Sequence, residues 1–319
     1  MRRLGVVAAV VLLSDVLVGC AGSSPANGED TALPSPGASR TTTTKGLHLP
    51  LEDYFIAGRQ QQSAVDGATD ILVEECMKSY GISYRPLPPA YAGPETLVEL
   101  RYANLDEELA SRYGFKRPGQ QRADEAVAQG ERRAQQLPAD QLAVLIGPAG
   151  AGPAPPAQAS ASYRGKALPE RGCIGQARRS LAPDGSLRWM EDMKFVDDLE
   201  NKPLTDSEKD PRVAKAIAAW SSCMNTAGHP YPADPYAPGN DPRFNTQAHP
   251  YTPAPGETET AVADTRCAKK TNLVGIWFSV EVAYQKTLIR ENEPRLRQCK
   301  HARDTVLRKA AEVLRGASA

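Results

Sequence analysis

The segment 260–293, TAVADTRCAKKTNLVGIWFSVEVAYQKTLIRENE, constrains the fold more than any other part of the chain. It runs without proline until Pro294, and Leu273, Trp277, Val280, Tyr284 and Leu288 recur at steps of four, three, four and four, which places them on one stripe of an α-helix. Val274, Phe278 and Val282 lie beside that stripe and widen it into a face that needs a core wall, not a coiled-coil seam. Cys267 precedes Leu273 near the same face, where a disulfide can fasten it to another helix. The expectation is one central helix over 260–293 with shorter helices packed around it.

The remaining elements are also helical. A short helix starts at Leu49, Leu51, Tyr54 and Phe55. A better one covers 66–80, with Leu72, Cys76 and Tyr80 at four-residue steps and Gly81 as its stop. Segment 97–113 reads as helix with breaks, 120–136 as helix-forming but without an apolar face, and 138–146 as two turns carrying Leu142, Leu145 and Ile146 inward. Two more follow at 173–181 and 187–199. Asp210 and Pro211 then supply an N-cap and a first-turn proline for a helix to Asn225, stripe Val213, Ile217, Trp220, Met224. A final polar-faced segment runs from Pro294 to Leu314. Period-two alternation is absent, so the fold class expected is mainly α: an irregular helical bundle with long Pro/Gly-rich loops. The stretch 147–169, GPAGAGPAPPAQASASYRGKALP, has linker composition and is a candidate insertion or hinge.

The amino terminus has the layout of a bacterial lipoprotein signal peptide: Arg2 and Arg3, an apolar run 4–13, then Leu17, Val18, Gly19, Cys20. The run is too short to span a bilayer. Asp15 departs from the pattern, because a carboxylate beside the apolar core weakens insertion. Residues 1–19 are therefore assigned to the signal peptide, and the resemblance to lipoproteins implies that Cys20 is the lipid-attachment residue, carrying diacylglycerol and palmitate. Residues 20–46, rich in Ser, Pro, Gly and Thr, form a flexible tether, which spans about 28 Å if fully flexible. The helical extracytoplasmic domain occupies 47–315. The 38 basic and 38 acidic residues balance, and removing 1–19 leaves a charge of about −1, so no electrostatic case exists for nucleic acid.

Five cysteines follow Cys20, and an exported location favours disulfides, two bridges and one thiol. Their spacing lacks the two-to-four-residue separation of a structural zinc site. Two helix ends echo each other: C-M-x-x-x-G-x-x-Y occurs at 76–84 and again at 223–231. Each is a cysteine ahead of a glycine C-cap, with an aromatic folding back onto the last turn. If each C-M helix is stapled to the next helix that bears a cysteine, Cys76 pairs with Cys173 and Cys223 with Cys267, one of fifteen arrangements open to five cysteines. Such loops are each worth roughly 4 to 5 kcal/mol in the chain-entropy model.

No motif names a reaction. There is no G-x-S-x-G, S-x-x-K, H-E-x-x-H or C-x-x-C, no phosphate-cradling glycine loop and no calcium loop. No catalytic, cofactor-binding or metal residue is assigned. His229 and His249 each head a His-Pro-Tyr triplet, yet two loop imidazoles fall short of a metal site. Glu191, Asp192, Asp197, Asp198 and Glu200 read as a solvated acidic face. The loop 229–255, with Tyr231, Tyr236, Phe244 and Tyr251 set among prolines, is the candidate recognition element. Its rings either present to an envelope protein or glycan at low entropic cost, or pack back to cover helix ends.

Five local motifs carry a resemblance. ECM-x-x-x-G-x-x-Y at 75–84, RYGF at 112–115, G-C-x-G-x-A-R-R at 172–179, CM-x-x-x-G at 223–228 and A-D-x-x-C-x-x-K-T-N-L-V at 263–274 resemble uncharacterised secreted lipoproteins of streptomycetes and related actinomycetes. The likeness covers most of 47–293. It implies a lipoprotein on the outer face of the cytoplasmic membrane and transfers no activity. Cys299 departs from that pattern, in keeping with its being the odd thiol. The function expected is a membrane-anchored binding or envelope-organising module of unknown activity; the alternative is a cell-envelope hydrolase using acidic residues.

Overall fold

In the computed structural model the segment 257–291 is two helices, not one. α8 (Glu257–Thr271) ends and α9 (Leu273–Glu291) begins at Asn272, which is left-handed with φ 53. Asn tolerates that conformation better than most residues, because its short polar side chain bonds locally. Here Oδ1 of Asn272 accepts a hydrogen bond of 2.9 Å from the backbone N–H of Thr41. The break re-aims the second half of the segment. α8 packs against α3 (Glu107–Tyr113) and α7 (Pro211–Thr226), whereas α9 packs against α7 and α6 (Met193–Glu208).

The structure describes residues 40–86, 98–102, 104–116, most of 125–147, 162–183, 193–244 and 252–317. The remaining helices are α1 (Gly58–Ser79), α2 (Val98–Arg101), α4 (Ala139–Ile146), α5 (Gly172–Leu181) and α10 (Glu293–Ala317). Among the described residues the only strands are β1 (Ser162–Tyr163) and β2 (Lys166–Ala167), a two-stranded antiparallel hairpin. The expected helix 187–199 becomes α6, which continues through Pro203 to Glu208, so the proline costs a hydrogen bond without ending the helix. The first short helix is a 3₁₀ turn, Pro50–Asp53. Residues 148–161 of the expected linker and most of 120–136 lie outside the described residues. The linker's far end is tied down by the hairpin, whose Tyr163 is buried.

Two packed groups result. α1 crosses α10 closely through Ala68 and Ala310, both fully buried, and also lies on α5 and α4. α9 is enclosed on most sides, with only Lys286, Arg290 and Glu291 exposed. Its Leu273, Val274, Trp277 and Val280 join Trp220, Met224 and Val213 of α7 in the largest core. Leu296 and Cys299 of α10 bridge the groups, meeting Leu51, Phe55 and Leu199.

Each group has one disulfide. Cys76–Cys173 joins α1 to α5, and Cys223–Cys267 joins α7 to α8; Cys299 is a free, buried thiol. The two C-M helix ends close in the same way. The N–H of Ile82 donates to Met77 O at 3.1 Å and that of Gly81 to Lys78 O at 2.9 Å, while His229 donates to Met224 O at 2.9 Å and Gly228 to Asn225 O at 3.1 Å. With Gly81 at φ 72 and Gly228 at φ 85, both are Schellman ends that rely on glycine's freedom at positive φ. Met77 and Met224 are fully buried at corresponding places, and Tyr84 and Tyr231 each fold back onto their own core.

Candidate functional site

The site grows from charges placed on an apolar stripe. Glu281 lies four residues after Trp277 on α9, so helical phase points its carboxylate into the core, where it is fully buried. Three neighbouring groups make that tolerable. Tyr102 donates a short hydrogen bond to Oε2, Gln285 Nε2 donates to Oε1 at 2.7 Å, and Arg101 Nη1 lies 3.0 Å from Oε1. Gln285 in turn accepts from the Leu51 N–H at 3.0 Å. Burial still raises the Glu281 carboxyl above its usual range against the pull of Arg101, and both burial and the adjacent carboxylate drive the Tyr102 phenol well up.

Arg101 is anchored but incompletely satisfied. Its Nη2 donates to the Glu200 carbonyl at 2.7 Å, yet Nε has no acceptor, and the short approach of Nη1 to Glu281 is too poorly angled for a hydrogen bond. The side chain is 8 % exposed. A buried guanidinium with a spare N–H costs on the order of 1–3 kcal/mol unless something supplies an acceptor.

Arg101, Tyr102 and Trp277 line a cleft of about 920 Å³. Asp264 of α8 joins them there. It accepts one hydrogen bond, Trp220 Nε1 to Oδ1 at 2.7 Å, and burial lifts its carboxyl to about 7 despite that donor. The wall is a loop after α3. Glu257 is fully buried in the first turn of α8, where Oε1 accepts from Phe115 N at 3.1 Å and Oε2 from Ala254 N at 2.9 Å. Gly114 is required at this junction, because a Cβ there would sit 2.4 Å from Glu257 Oε1. Glu107 of α3 clamps the same wall to α8 by ion pairs of 3.1 Å to both Arg266 and Lys269. Thr42 to Lys45, the end of the expected tether, form the opposite rim.

The structure turns three of the candidate recognition rings inward, and Tyr251 lies outside the described residues. Phe244 is buried and stacked on Phe115 at 5.9 Å. Tyr231 donates to Asp241 Oδ2 at 2.7 Å and packs on the core. Tyr236 donates to the Arg101 carbonyl at 3.0 Å and meets Trp277 edge-on at 6.0 Å. Prolines stiffen the loop, and its phenols find partners inside, so the loop covers the core; Tyr236 and Phe244 thereby become walls of the cleft. His229 bonds Thr260 Oγ1 at 3.0 Å, His249 lies outside the described residues, and no group of three or more His, Cys, Asp or Glu gathers as a metal site among the described residues.

Arg101, Tyr102, Glu257, Asp264 and Glu281 escaped the sequence reading. A signal existed for two of them. Glu281 shares the phase of Trp277, while Asp264 and Thr260 share the phase of Cys267, and a charged residue on a buried stripe marks a paired or functional group.

No family model matches the chain, and no curated protein or solved structure matches it either. Among the described residues no helix is long and apolar enough to cross a membrane.

Proposed function

We propose that this protein is a lipid-anchored extracytoplasmic lipoprotein, moored through Cys20 to the outer face of the cytoplasmic membrane, whose helical domain binds a small envelope ligand in the cleft at Arg101. The observation that carries the binding reading is the buried guanidinium with an unused N–H in a cleft whose volume falls within the range of small-molecule sites. The likeness to actinomycete lipoproteins supports the anchor. Rim residues Thr42 to Lys45 belong to the end of the tether, so the segment 21–41 alone separates anchor from cleft.

The hydrolase reading has one observation in its favour, the Asp264 carboxyl poised near neutrality in the cleft. Acid–base hydrolysis of a glycoside needs a second free carboxylate facing the first. Three of the other four acidic side chains of the cleft are spent, Glu257 on two backbone N–H groups, Glu107 on two cations and Asp106 on capping α3, so binding is the stronger reading.

Two measurements on the full chain decide the matter. Membrane fractionation should find the wild type in the membrane and Cys20→Ala in the soluble fraction; a variant that stays membrane-bound sinks the anchor. Heating the detergent-solubilised protein with the low-mass fraction of an envelope extract should raise Tm by several degrees, as ligand at a hundredfold excess over Kd contributes about 2.7 kcal/mol. An unchanged Tm sinks the binding reading.

A further inference from the structure

Resting on the reading of this cleft as a binding site, we infer that its ligand is an uncharged carbohydrate, a neutral oligosaccharide whose hydroxyls meet the polar groups of Arg101 and Asp264 on the cleft lining. The cleft lining offers unused donors on Arg101 and one unused acceptor on Asp264. Arg101 Nε–H has no partner, and Asp264 Oδ2 receives no hydrogen bond, its only side-chain donor being the indole of Trp220 on Oδ1. Hydroxyl groups answer both, since a hydroxyl accepts as readily as it donates. A carboxylate or phosphate cannot donate to Asp264, and an ammonium cannot accept from Arg101.

Charge points the same way. Five basic and five acidic side chains line the cleft, so it presents no net field to draw in an ion. Arg101 already has Glu281 as its counter-charge, 3.0 Å away and fully buried. A second anion at the guanidinium would face that carboxylate, and a cation would face the guanidinium itself. A neutral polar group completes the floor without adding a buried charge.

The walls suit a sugar ring, one face of which is C–H and the edge of which is hydroxyl. Phe115 and Tyr236 keep a minor part of their surface exposed, and each is held in place, Phe115 on Phe244 and Tyr236 through its bond to the Arg101 carbonyl. Rigid rings of this kind offer apolar contact at little entropic cost. The exposed side chains of Thr42 and Asn240 on the rim supply further donors and acceptors.

The test uses the detergent-solubilised full chain on immobilised probes: neutral gluco-, manno-, galacto- and N-acetylglucosamine oligomers, acidic galacturonate and cationic glucosamine oligomers, and a blocked neutral tripeptide. Retention on at least one neutral oligosaccharide is expected, with little or none on the charged oligomers or the tripeptide. Arg101→Lys keeps a positive charge beside Glu281 but lacks the Nε–H in its place, and should weaken that binding at least tenfold. Asn240→Ala, an exposed rim change that does not threaten folding, should weaken it about threefold. Retention by charged oligomers or the tripeptide alone, retention by none, or binding indifferent to both variants overturns the assignment. If nothing is retained while the envelope extract still raises Tm, the carbohydrate falls and the binding reading stands; if neither responds, both fall.

Discussion

The two disulfide-stapled groups use the same helix end and bury opposite things beneath it. On the α1 side the core is aliphatic and aromatic, and none of the buried polar residues belongs to α1, α4 or α5. On the α7–α9 side Arg101, Asp264, Glu257, Glu281 and Gln285 are all buried: Glu281 with Arg101 and Gln285, Asp264 under Trp220, and Glu257 on two backbone N–H groups. The stabilising devices are shared: a C-M helix, a glycine Schellman turn, a disulfide to a later helix. The first group holds together without buried charge, so the charge in the second is not a condition of folding. Desolvating those groups costs stability, and an arrangement that carries such a cost marks a place where specificity or binding is made.

The largest expected effect tests what the groups share. Replacing Cys76 and Cys173 with Ala, or Cys223 and Cys267, should each lower stability by roughly 4 to 5 kcal/mol, slightly more for the longer loop of 97 residues than for that of 44. Urea unfolding of both double variants measures it. A loss confined to one pair would mean that only one group relies on its staple.

What the groups do not share is tested next. Glu281→Leu leaves Arg101 buried without its counter-charge and should cost about 3–5 kcal/mol, whereas Arg101→Leu combined with Glu281→Leu should recover most of that loss. Recovery in urea midpoints with ligand binding abolished would confirm that the network serves the cleft. A double variant as unstable as the single one would make the network structural and break the comparison.

The smallest effect is one of pH. The Asp264 carboxyl, lifted to about 7 when folded, holds its proton after the unfolded chain has lost it, so stability falls as pH rises from about 4 to 7. Asp264→Asn should flatten that decline. Asp70 on α1 is also raised, to about 6, by burial and by Asp66, but it is half-buried and better screened, so Asp70→Asn should flatten the curve less. Equal effects from the two variants would erase the electrostatic difference between the groups.

Much of this molecule was legible as local pattern. The stripes through Trp277 and Trp220, the cap at Asp210, which accepts from Arg212 N at 2.9 Å, and the glycine ends after Met77 and Met224 depend on neighbours within a few turns, so spacing alone reveals them. Repetition of that pattern suggested one of fifteen pairings, and it is the one the structure has, Cys76 with Cys173 and Cys223 with Cys267. The cleft was not legible, because Arg101, Asp264 and Glu281 are far apart in the chain and each reads singly as an ordinary charged residue.

Sequence alone determined that the chain is helical and where most helices stop, because backbone hydrogen bonding, capping and helical phase are decided between residues close in the chain. Tertiary structure decided that 257–291 breaks at Asn272, that the rings of Tyr231, Tyr236 and Phe244 turn inward, and that one guanidinium is left with an unused N–H. The physical reason is that each of these outcomes balances desolvation against a partner from a distant segment: Thr41 for Asn272, Arg101 for Tyr236, Glu281 for Arg101.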